Sequence, residues 1–260
     1  MPLRTVNATR YVTPLREGGS LPAVVEADDD GLYVLKFRGA GQGPKALIAE
    51  LVAGEIARAA GLNVPEIVFV DLDGELARTE PDAEIQDLIR ASAGLNLALD
   101  YLPGSVAFDA LAHPVDNDVA SMVVWLDGFV TNPDRTARNT NLLVWHRRLW
   151  LIDHGAALYF HHNWGSADET GKTSFPRIKD HVLLRAASRL PEADATMTER
   201  ITAARIAGIV QDIPDVWLAP DPAFGDGRRQ RDAYVEILTR RLQPPRAFLE
   251  EAIRARSAHV

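Results

Sequence analysis

The sequence predicts an α+β protein with two lobes. Strand and turn patterns, with one helix, dominate residues 1–101, whereas helical spacing dominates residues 102–260. The two patterns meet near Leu102, where Pro103 and Gly104 end a strand-like run. We therefore expect a small N-terminal lobe with an antiparallel sheet and one helix, followed by a mainly helical C-terminal lobe.

Four strands and one helix are predicted in the N-terminal lobe. "LPAVVEA" and "GLYVLKF" are β-rich and separated by "DDDG", so they predict a hairpin with Lys36 near the end of its second strand. The run from Gly43 to Gly61 has apolar residues at helical spacing, and its terminal glycine is typical of a helix C-cap. "VPEIVFVDLDG" and "LNLALDYLPGS" predict further strands.

The C-terminal lobe contains several helical patterns. "DNDVASMVVWLDGFVTN" predicts a helix with Asp116 or Asn117 as N-cap. The polar segment 163–176, "NWGSADETGKTSFP", predicts a mobile surface loop. Four further helices are predicted in "DHVLLRAASRL", "ATMTERITAARIAGIV", "RRQRDAYVEILTRRL" and "PRAFLEEAIRARSA".

Composition excludes several classes of function. The chain of 260 residues has no cysteine, which excludes disulfides, thiolate catalysis and cysteine-bound zinc, and fits a cytoplasmic location. No apolar run reaches the roughly 18 residues of a membrane span, and the N-terminus lacks the apolar segment of a secretory signal. The net charge of −8 argues against nucleic acid as a partner.

Polar side chains are concentrated in residues 132–158, "NPDRTARNTNLLVWHRRLWLIDHGAAL". Asp134, Asn139 and Asn141 precede or begin one apolar run, and Asp153 follows a second. Two short strands joined by a tight turn bring their outer ends together, so the asparagines and Asp153 are expected to lie close to each other. Oxygen atoms of carboxylates and amides are the ligands that Mg²⁺ prefers.

A second pair of charged residues comes from the N-terminal lobe. Lys36 on a strand and Glu50 on the following helix can form an ion pair that holds the ammonium group in place. Glu55 competes for this role. Helical geometry puts Glu50 beside Leu47, on or next to the inward face, and Glu55 well around the helix, so we favour Glu50.

These motifs resemble the HipA-type branch of the protein-kinase-like superfamily. "ELVAGEIARAAGLNVPE" is similar to the αC helix of HipA-like kinases, and "LALDYLPGS" resembles the hinge strand of kinase-like folds. "NPDRTARNTNLLV" and "LWLIDHG" are similar to the catalytic loop and metal motif of phosphatidylinositol kinases. The resemblance covers most of residues 11–165 and implies a bilobal protein-kinase-like fold that uses ATP and Mg²⁺ to phosphorylate a hydroxyl group.

The resemblance implies a role for each matching residue. Lys36, held by Glu50, would position the α- and β-phosphates of ATP, and Asp134 would accept or orient the proton of the acceptor hydroxyl. Asp153 and Asn139 would hold Mg²⁺. Asn141, which stands directly before "LLV", is the alternative to Asn139.

The nucleotide would be held by backbone groups at two further places. Asp100, Tyr101 and Leu102 would offer backbone groups to adenine. The sequence has no G-x-G-x-x-G motif. Its only candidate for a phosphate-covering loop is "REGGSLPAV", in which the backbone N–H groups of Gly18, Gly19 and Ser20 could bind the phosphates of the nucleotide. His154 replaces the phenylalanine of the kinase metal motif.

The leading hypothesis is an ATP- and Mg²⁺-dependent kinase that acts on serine or threonine hydroxyls of proteins. A pseudokinase that binds nucleotide and signals by shape is one alternative. A kinase for a small molecule, such as a lipid headgroup or an antibiotic, is another. The acidic net charge makes a membrane lipid the less attractive acceptor.

Overall fold

The N-terminal part of the protein is a barrel of β-strands. A computed structural model describes residues 3–15, 21–41, 43–218 and 224–258. Within these ranges the first five strands form a closed barrel, with each strand hydrogen-bonded to two neighbours. In chain order they are β1 (Thr5–Pro14), β2 (Ala23–Ala27), β3 (Leu32–Lys36), β4 (Ile67–Leu72) and β5 (Gly94–Asp100).

The predicted hairpin and the predicted first helix are confirmed. β2 and β3 pair in antiparallel register, and Lys36 is the last residue of β3. Helix α1 (Pro44–Ala59) follows, and Gly61 beyond its end has φ +84°, a conformation that glycine adopts without strain. α1 packs closely on β4, because a Cβ added at Gly54 would lie 2.6 Å from Cδ1 of Ile67.

The prediction of a small antiparallel sheet with one helix is wrong in two respects. β1 pairs with β4 in parallel, which closes the barrel and removes two sheet edges. A second helix, α2 (Ala83–Ala91), also lies in this part of the chain. Its buried Ile85 and Ile89 belong to the same apolar cluster as the barrel interior, so α2 covers the barrel.

A small sheet begins the C-terminal part. Strand β6 (Val106–Ala107) pairs with β7 (Leu142–Trp145), which pairs with β8 (Arg148–Leu151), both in antiparallel register. The hairpin predicted between the two apolar runs is confirmed. Its two turn residues, His146 and Arg147, both have positive φ, as the tightest hairpin turns require.

Helix α3 (Asn117–Phe129) lies between β6 and β7 in the sequence. Its N-cap is Asp116, whose carboxylate accepts hydrogen bonds from the backbone N–H groups of Asp118 and Val119. The alternative cap, Asn117, is the first helical residue. α3 is buried along most of its length, including Trp125, Asp127 and Phe129.

Two of the predicted C-terminal helices differ from the structure. "DHVLLRAASRL" is not helical, because its backbone bonds elsewhere: the N–H of Val182 donates to the carbonyl of Arg135, and His181 forms a bridge with Thr136. "ATMTERITAARIAGIV" is divided between two helices, since Thr202 caps the second one. The last four helices are α5 (Leu190–Arg200), α6 (Ala203–Gln211), α7 (Gly227–Leu242) and α8 (Ala247–Ser257).

The segment 163–176 is more ordered than the prediction of a mobile loop. It contains the short helix α4 (Ala167–Gly171), capped by Ser166. The buried Arg241 of α7 donates hydrogen bonds to the carbonyls of Thr170 and Thr173 and to the hydroxyl of Thr173. A buried arginine with several backbone partners therefore holds this segment in place.

Two apolar clusters form the core. The smaller one fills the barrel, and the larger one joins α1 and part of β5 to the C-terminal helices. The indole N–H of Trp217 donates to the carbonyl of Leu95, and its ring meets Phe69 edge-on at 5.5 Å between centroids. The division into two lobes at residue 102 stays a prediction, because the larger cluster crosses it. Every helix of the described residues is too short or too polar to cross a membrane.

Candidate active site

Lys36, Glu50 and Asp153 meet where β3, α1 and the end of β8 converge. The Nζ atom of Lys36 donates a hydrogen bond to Oδ1 of Asp153 at 2.8 Å and lies 3.9 Å from Oε2 of Glu50. The side chain of Glu50 is 1% exposed, whereas that of Asp153 is 39% exposed. The structure thus places the ammonium group between a buried carboxylate and an accessible one.

Burial and charge act in opposite directions on these groups. Burial alone would raise the pKa of Glu50, but the charge of Lys36 and the hydrogen bond with His154 lower it to about 2. Burial alone would lower the pKa of Lys36, but Glu50 and Asp153 raise it above its usual value. At neutral pH both partners are therefore charged.

Glu50, and not Glu55, faces Lys36. Glu55 pairs instead with Arg58 of the same helix, at 3.2 Å between Oε1 and Nε. The second close neighbour of Glu50 is His154, fully buried, whose Nδ1 lies 3.4 Å from Oε1 of Glu50. Sequence reasoning noted His154 as a substitution in the metal motif and missed its contact with the helix.

Asp134 lies beside both asparagines. Its Oδ2 atom accepts hydrogen bonds from Nδ2 of Asn139 at 2.8 Å and from Nδ2 of Asn141 at 3.1 Å. A carboxylate only accepts, so the amide nitrogens face Asp134 and the amide oxygens remain available to another partner. Three of the residues singled out in the sequence thus form one polar cluster.

The register of the hairpin brings the backbone of Asn141 closer to Asp153 than that of Asn139. The N–H of Ile152 donates to the carbonyl of Asn141 at 3.1 Å, which sets Asn141 opposite the residue before Asp153. Asn139 lies before the hairpin strands, and its carbonyl accepts from the N–H of Thr136. Asn141 and Asp153 both have left-handed backbones, with φ of +48° and +54°. Residues at functional sites often carry backbone strain of this kind.

A buried network under the candidate catalytic loop, residues 132–141, was missed by sequence reasoning. Asp127 of α3 accepts from Nε of Arg135 at 2.6 Å and from Nε2 of His181 at 2.9 Å. Arg135 also donates to the carbonyl of Asn141. No local sequence signal marks Asp127 or His181 as the partners of Arg135.

The backbone groups expected to bind nucleotide differ in availability. The N–H of Asp100 donates to the carbonyl of Glu66, and that of Tyr101 donates to the carbonyl of Leu32. The N–H of Leu102 has no hydrogen-bond partner within the described residues. The proposed phosphate-covering residues of segment 18–20 lie outside the described residues.

The donor atoms at this site fit a magnesium ion that binds together with nucleotide. Within the described ranges, no three His, Cys, Asp or Glu side chains come together as a metal cage. Mg²⁺ bound to nucleotide needs only one or two carboxylates besides the phosphate oxygens. Asp153 supplies an accessible carboxylate, and Asn141 or Asn139 supplies an amide oxygen.

The chain was compared with protein families, curated proteins and solved structures. The family described as HipA-like kinase matches residues 9–245. None of the curated proteins matches the sequence. Among solved structures, the Helicobacter pylori proinflammatory kinase CtkA is similar with a TM-score of 0.59 and 13% identity, over 98% of this chain and 99% of that chain. At this identity the likeness shows a shared fold.

Two structures of the Golgi casein kinase are also similar. One has a TM-score of 0.45 and 14% identity, over 99% of this chain and 72% of that chain. The other, with Mn/ADP bound, has a TM-score of 0.42 and 14% identity, over 92% of this chain and 73% of that chain.

Proposed function

The chain belongs to the HipA-like kinase family, and we propose that it transfers the γ-phosphoryl group of ATP to a hydroxyl group in a Mg²⁺-dependent reaction. The observation that carries the proposal is the ammonium group of Lys36 held between Glu50 and Asp153. A kinase needs a lysine fixed in this way, because its charge must meet phosphate oxygens at a defined position.

Each residue of the site has a task in this reaction. Lys36 would bind the α- and β-phosphates, while Glu50 keeps it charged and oriented. Asp134, half-buried at the start of the catalytic loop, would accept or orient the proton of the attacking hydroxyl. Positioning and electrostatic stabilisation then supply most of the rate acceleration, without a covalent enzyme intermediate.

Asp153 and Asn141 would hold Mg²⁺, which when bound neutralises charge on the phosphates. The five-residue spacing from Asp134 favours Asn139 for this role, whereas the register of the hairpin favours Asn141. We propose Asn141 as the ligand and keep Asn139 as the alternative. Both asparagines bond to Asp134 through their amide nitrogens, so either amide oxygen could bind the metal. The choice between them therefore rests on which one the hairpin register brings closer to Asp153.

Adenine would bind at the strand that leaves the barrel. The N–H groups of Asp100 and Tyr101 already donate hydrogen bonds to the carbonyls of Glu66 and Leu32. Of the three, Leu102 is the residue whose N–H has no hydrogen-bond partner in the described part of the chain. We therefore propose the backbone of Leu102 as the donor to the adenine ring.

The acceptor proposed is a serine or threonine side chain of a protein. A direct test is transfer of label from γ-labelled ATP to the proteins of a cell lysate, with Mg²⁺ or with EDTA. We expect protein labelling by the wild type in Mg²⁺, and a loss of about 100-fold or more in Asp134→Ala, because a positioned general base contributes factors of this size. Asp109→Ala, which changes an exposed acid outside the site, is the control.

Other outcomes distinguish the alternatives. Label found only in small molecules would show that the acceptor is a small molecule and not a protein. ATP binding without transfer by the wild type would favour the pseudokinase. If wild type and Asp153→Ala bound Mg²⁺–ATP equally well and neither transferred phosphate, the kinase proposal would be wrong.

A further inference from the structure

A buried ion pair lies directly beneath the candidate active site. The side chains of Asp127 and Arg135 are both 0% exposed, and Oδ2 of Asp127 is 2.6 Å from Nε of Arg135. Removing two charges from water is unfavourable unless the remaining polar atoms find partners. Asp127 has them: Oδ1 accepts from Nδ2 of Asn132 at 3.1 Å, and Oδ2 accepts from Nε2 of His181 at 2.9 Å.

The protonation of this network follows from its hydrogen bonds. The N–H of Leu183 donates to Nδ1 of His181 at 3.0 Å, so Nδ1 carries no proton and the proton of the neutral ring lies on Nε2. Burial alone would raise the pKa of Asp127, but Arg135 and His181 hold it far below its usual range. The network therefore contains one carboxylate and one guanidinium, and its net charge is zero.

The other end of Arg135 reaches the metal-binding hairpin. Its Nη1 atom donates to the carbonyl of Asn141 and, at 3.4 Å, to the carbonyl of Ile152. Asn141 is a candidate metal ligand, and Ile152 directly precedes Asp153. One guanidinium thus contacts the backbone of both hairpin strands at the end where the metal ligands lie.

Arg135 also belongs to the catalytic loop and to the segment behind it. It follows Asp134 in the sequence, and its carbonyl accepts from the N–H of Val182. The side chain is therefore fixed at one end to α3 through Asp127 and at the other end to the hairpin. Only a planar group with several donors can make both sets of contacts.

We propose that Arg135, oriented by Asp127, is a positioning residue that sets the spacing between the two oxygen ligands of the Mg²⁺–ATP complex. The inference rests on the proposed function. Asn141 and Asp153 have strained, left-handed backbones, which persist only while the surroundings hold them. Without the guanidinium, the two backbones relax independently and the ligand oxygens lose their common geometry, which weakens metal binding.

The test compares Arg135→Lys with Arg241→Lys. Arg241 is a matched control, because it is equally buried and donates to the carbonyls of Gly128 and Phe129, which follow Asp127 at the C-terminal end of α3, while its hydrogen bonds within the described residues do not reach the hairpin. Two quantities are measured for each variant. One is the Mg²⁺ concentration for half-maximal phosphoryl transfer. The other is the rise in melting temperature with ATP plus Mg²⁺ and with ATP plus EDTA.

We expect Arg135→Lys to raise the Mg²⁺ requirement about 10- to 100-fold, the usual effect of losing a group that orients metal ligands. The thermal stabilisation by ATP plus Mg²⁺ decreases, and the stabilisation by ATP plus EDTA stays as in the wild type. Arg241→Lys melts at a lower temperature but keeps the wild-type Mg²⁺ requirement.

The inference is overturned if Arg135→Lys only lowers the melting temperature and leaves the Mg²⁺ requirement unchanged. Should Arg135→Lys fail to fold, Asp127→Asn takes its place, because it preserves the shape of the side chain and removes the charge that orients Arg135. The same increase in Mg²⁺ requirement, smaller in size, is then expected, and its absence overturns the inference. A wild type that binds no Mg²⁺–ATP would overturn the proposed function and this inference together.

Discussion

The carboxylate of Glu50 is held by few hydrogen bonds for a buried charge. Oε1 contacts His154, and Oε2 has no hydrogen-bond partner within the described residues, although Lys36 lies 3.9 Å away. Its ionisation therefore depends on the charge of Lys36 and on the imidazole of His154. A glutamate of this kind adds stability only while it is charged.

The first prediction concerns the acid stability that Glu50 provides. Its pKa is lowered from 4.5 to about 2 on folding, so its contribution is complete above pH 4.5 and is lost as the pH falls toward 2. We expect Glu50→Gln to remove a slope of up to about 1.4 kcal/mol per pH unit in this range. Urea unfolding from pH 5 to pH 3 measures it. An unchanged slope would show that Glu50 titrates as in the unfolded chain.

His161 is a second buried group with a displaced pKa. Burial and the charges of His162 and Lys45 lower the pKa of His161 from 6.5 to about 3. Its Nδ1 atom lies 3.0 Å from the hydroxyl of Tyr234, and its carbonyl accepts from Nζ of Lys45 at 2.6 Å. The ring is therefore neutral in the folded protein at pH values where the unfolded chain binds a proton.

The second prediction follows from this difference. Stability falls as the pH drops below 6.5, because only the unfolded chain takes up the proton, and the loss reaches about 2 kcal/mol at pH 5. We expect His161→Gln to lack this component, as measured by urea unfolding at pH 7 and pH 5. His146→Gln, at an exposed turn, controls for the loss of an imidazole. The same loss in His161→Gln as in the wild type would contradict the prediction.

At the scale of elements, the β7–β8 hairpin determines which polar residues can act together. The pairing of Leu142 with Leu151 sets Asn141 opposite Ile152, next to Asp153. Asn139 is two residues further out and lies before the hairpin strands. The order of the motif is visible in the sequence, but the register of the hairpin decides how close each asparagine comes to Asp153.

The third prediction separates the two asparagines. Glycine is the replacement, because it removes the side chain and tolerates the left-handed backbone that Asn141 adopts. We expect Asn141→Gly to raise the Mg²⁺ requirement of phosphoryl transfer about 10- to 100-fold. Asn139→Gly should change it much less. The reverse result would make Asn139 the metal ligand.

Tertiary contacts also decide the structure of elements whose local patterns suggest otherwise. Residues 181–189 have helical spacing, yet their backbone groups bond to the candidate catalytic loop through Val182 and His181. The segment 163–176 is polar, yet Arg241 and the cap at Ser166 hold it in a defined conformation. The distant partners are Arg135 and Thr136 in the first case and Arg241 in the second, whereas the cap at Ser166 is local.

At the scale of the whole molecule, one apolar cluster joins the N-terminal and C-terminal parts. It includes α1 and residues of β5 together with α3 and the later helices. Polar contacts add to it, since Trp217 donates to the carbonyl of Leu95 and Arg200 donates to the carbonyl of Ala60. Shared burial of this kind favours unfolding as one cooperative unit.

The fourth prediction tests this coupling. All 5 tryptophans of the chain lie in its C-terminal part, so tryptophan fluorescence reports that part and the contact of Trp217 with the barrel, whereas far-ultraviolet circular dichroism reports the secondary structure of both parts. We expect the two signals to change at the same urea concentration in the wild type. Trp217→Ala removes the contact with Phe69 and should destabilise the protein by about 3–5 kcal/mol. Transitions that differ in the wild type would show that the two parts unfold separately.

Local patterns alone determined the β2–β3 hairpin, helix α1 with its end before Gly61, and the β7–β8 hairpin. They also marked Lys36, Glu50, Asp134 and Asp153 as candidates for the site, because charged and amide residues beside apolar strands are visible in the sequence. Such signals depend on residues a few positions apart, which the sequence displays directly.

Only the tertiary structure decided how these elements close on one another. The parallel pairing of Thr5 with Phe69 closes the barrel, and the contacts of Asp127 with Arg135 and His181 support the candidate catalytic loop. No periodicity predicts such pairs, because their members are distant along the chain or belong to different elements. They come together on folding, because a polar group buried away from water is unfavourable unless it forms a hydrogen bond with another group of the protein.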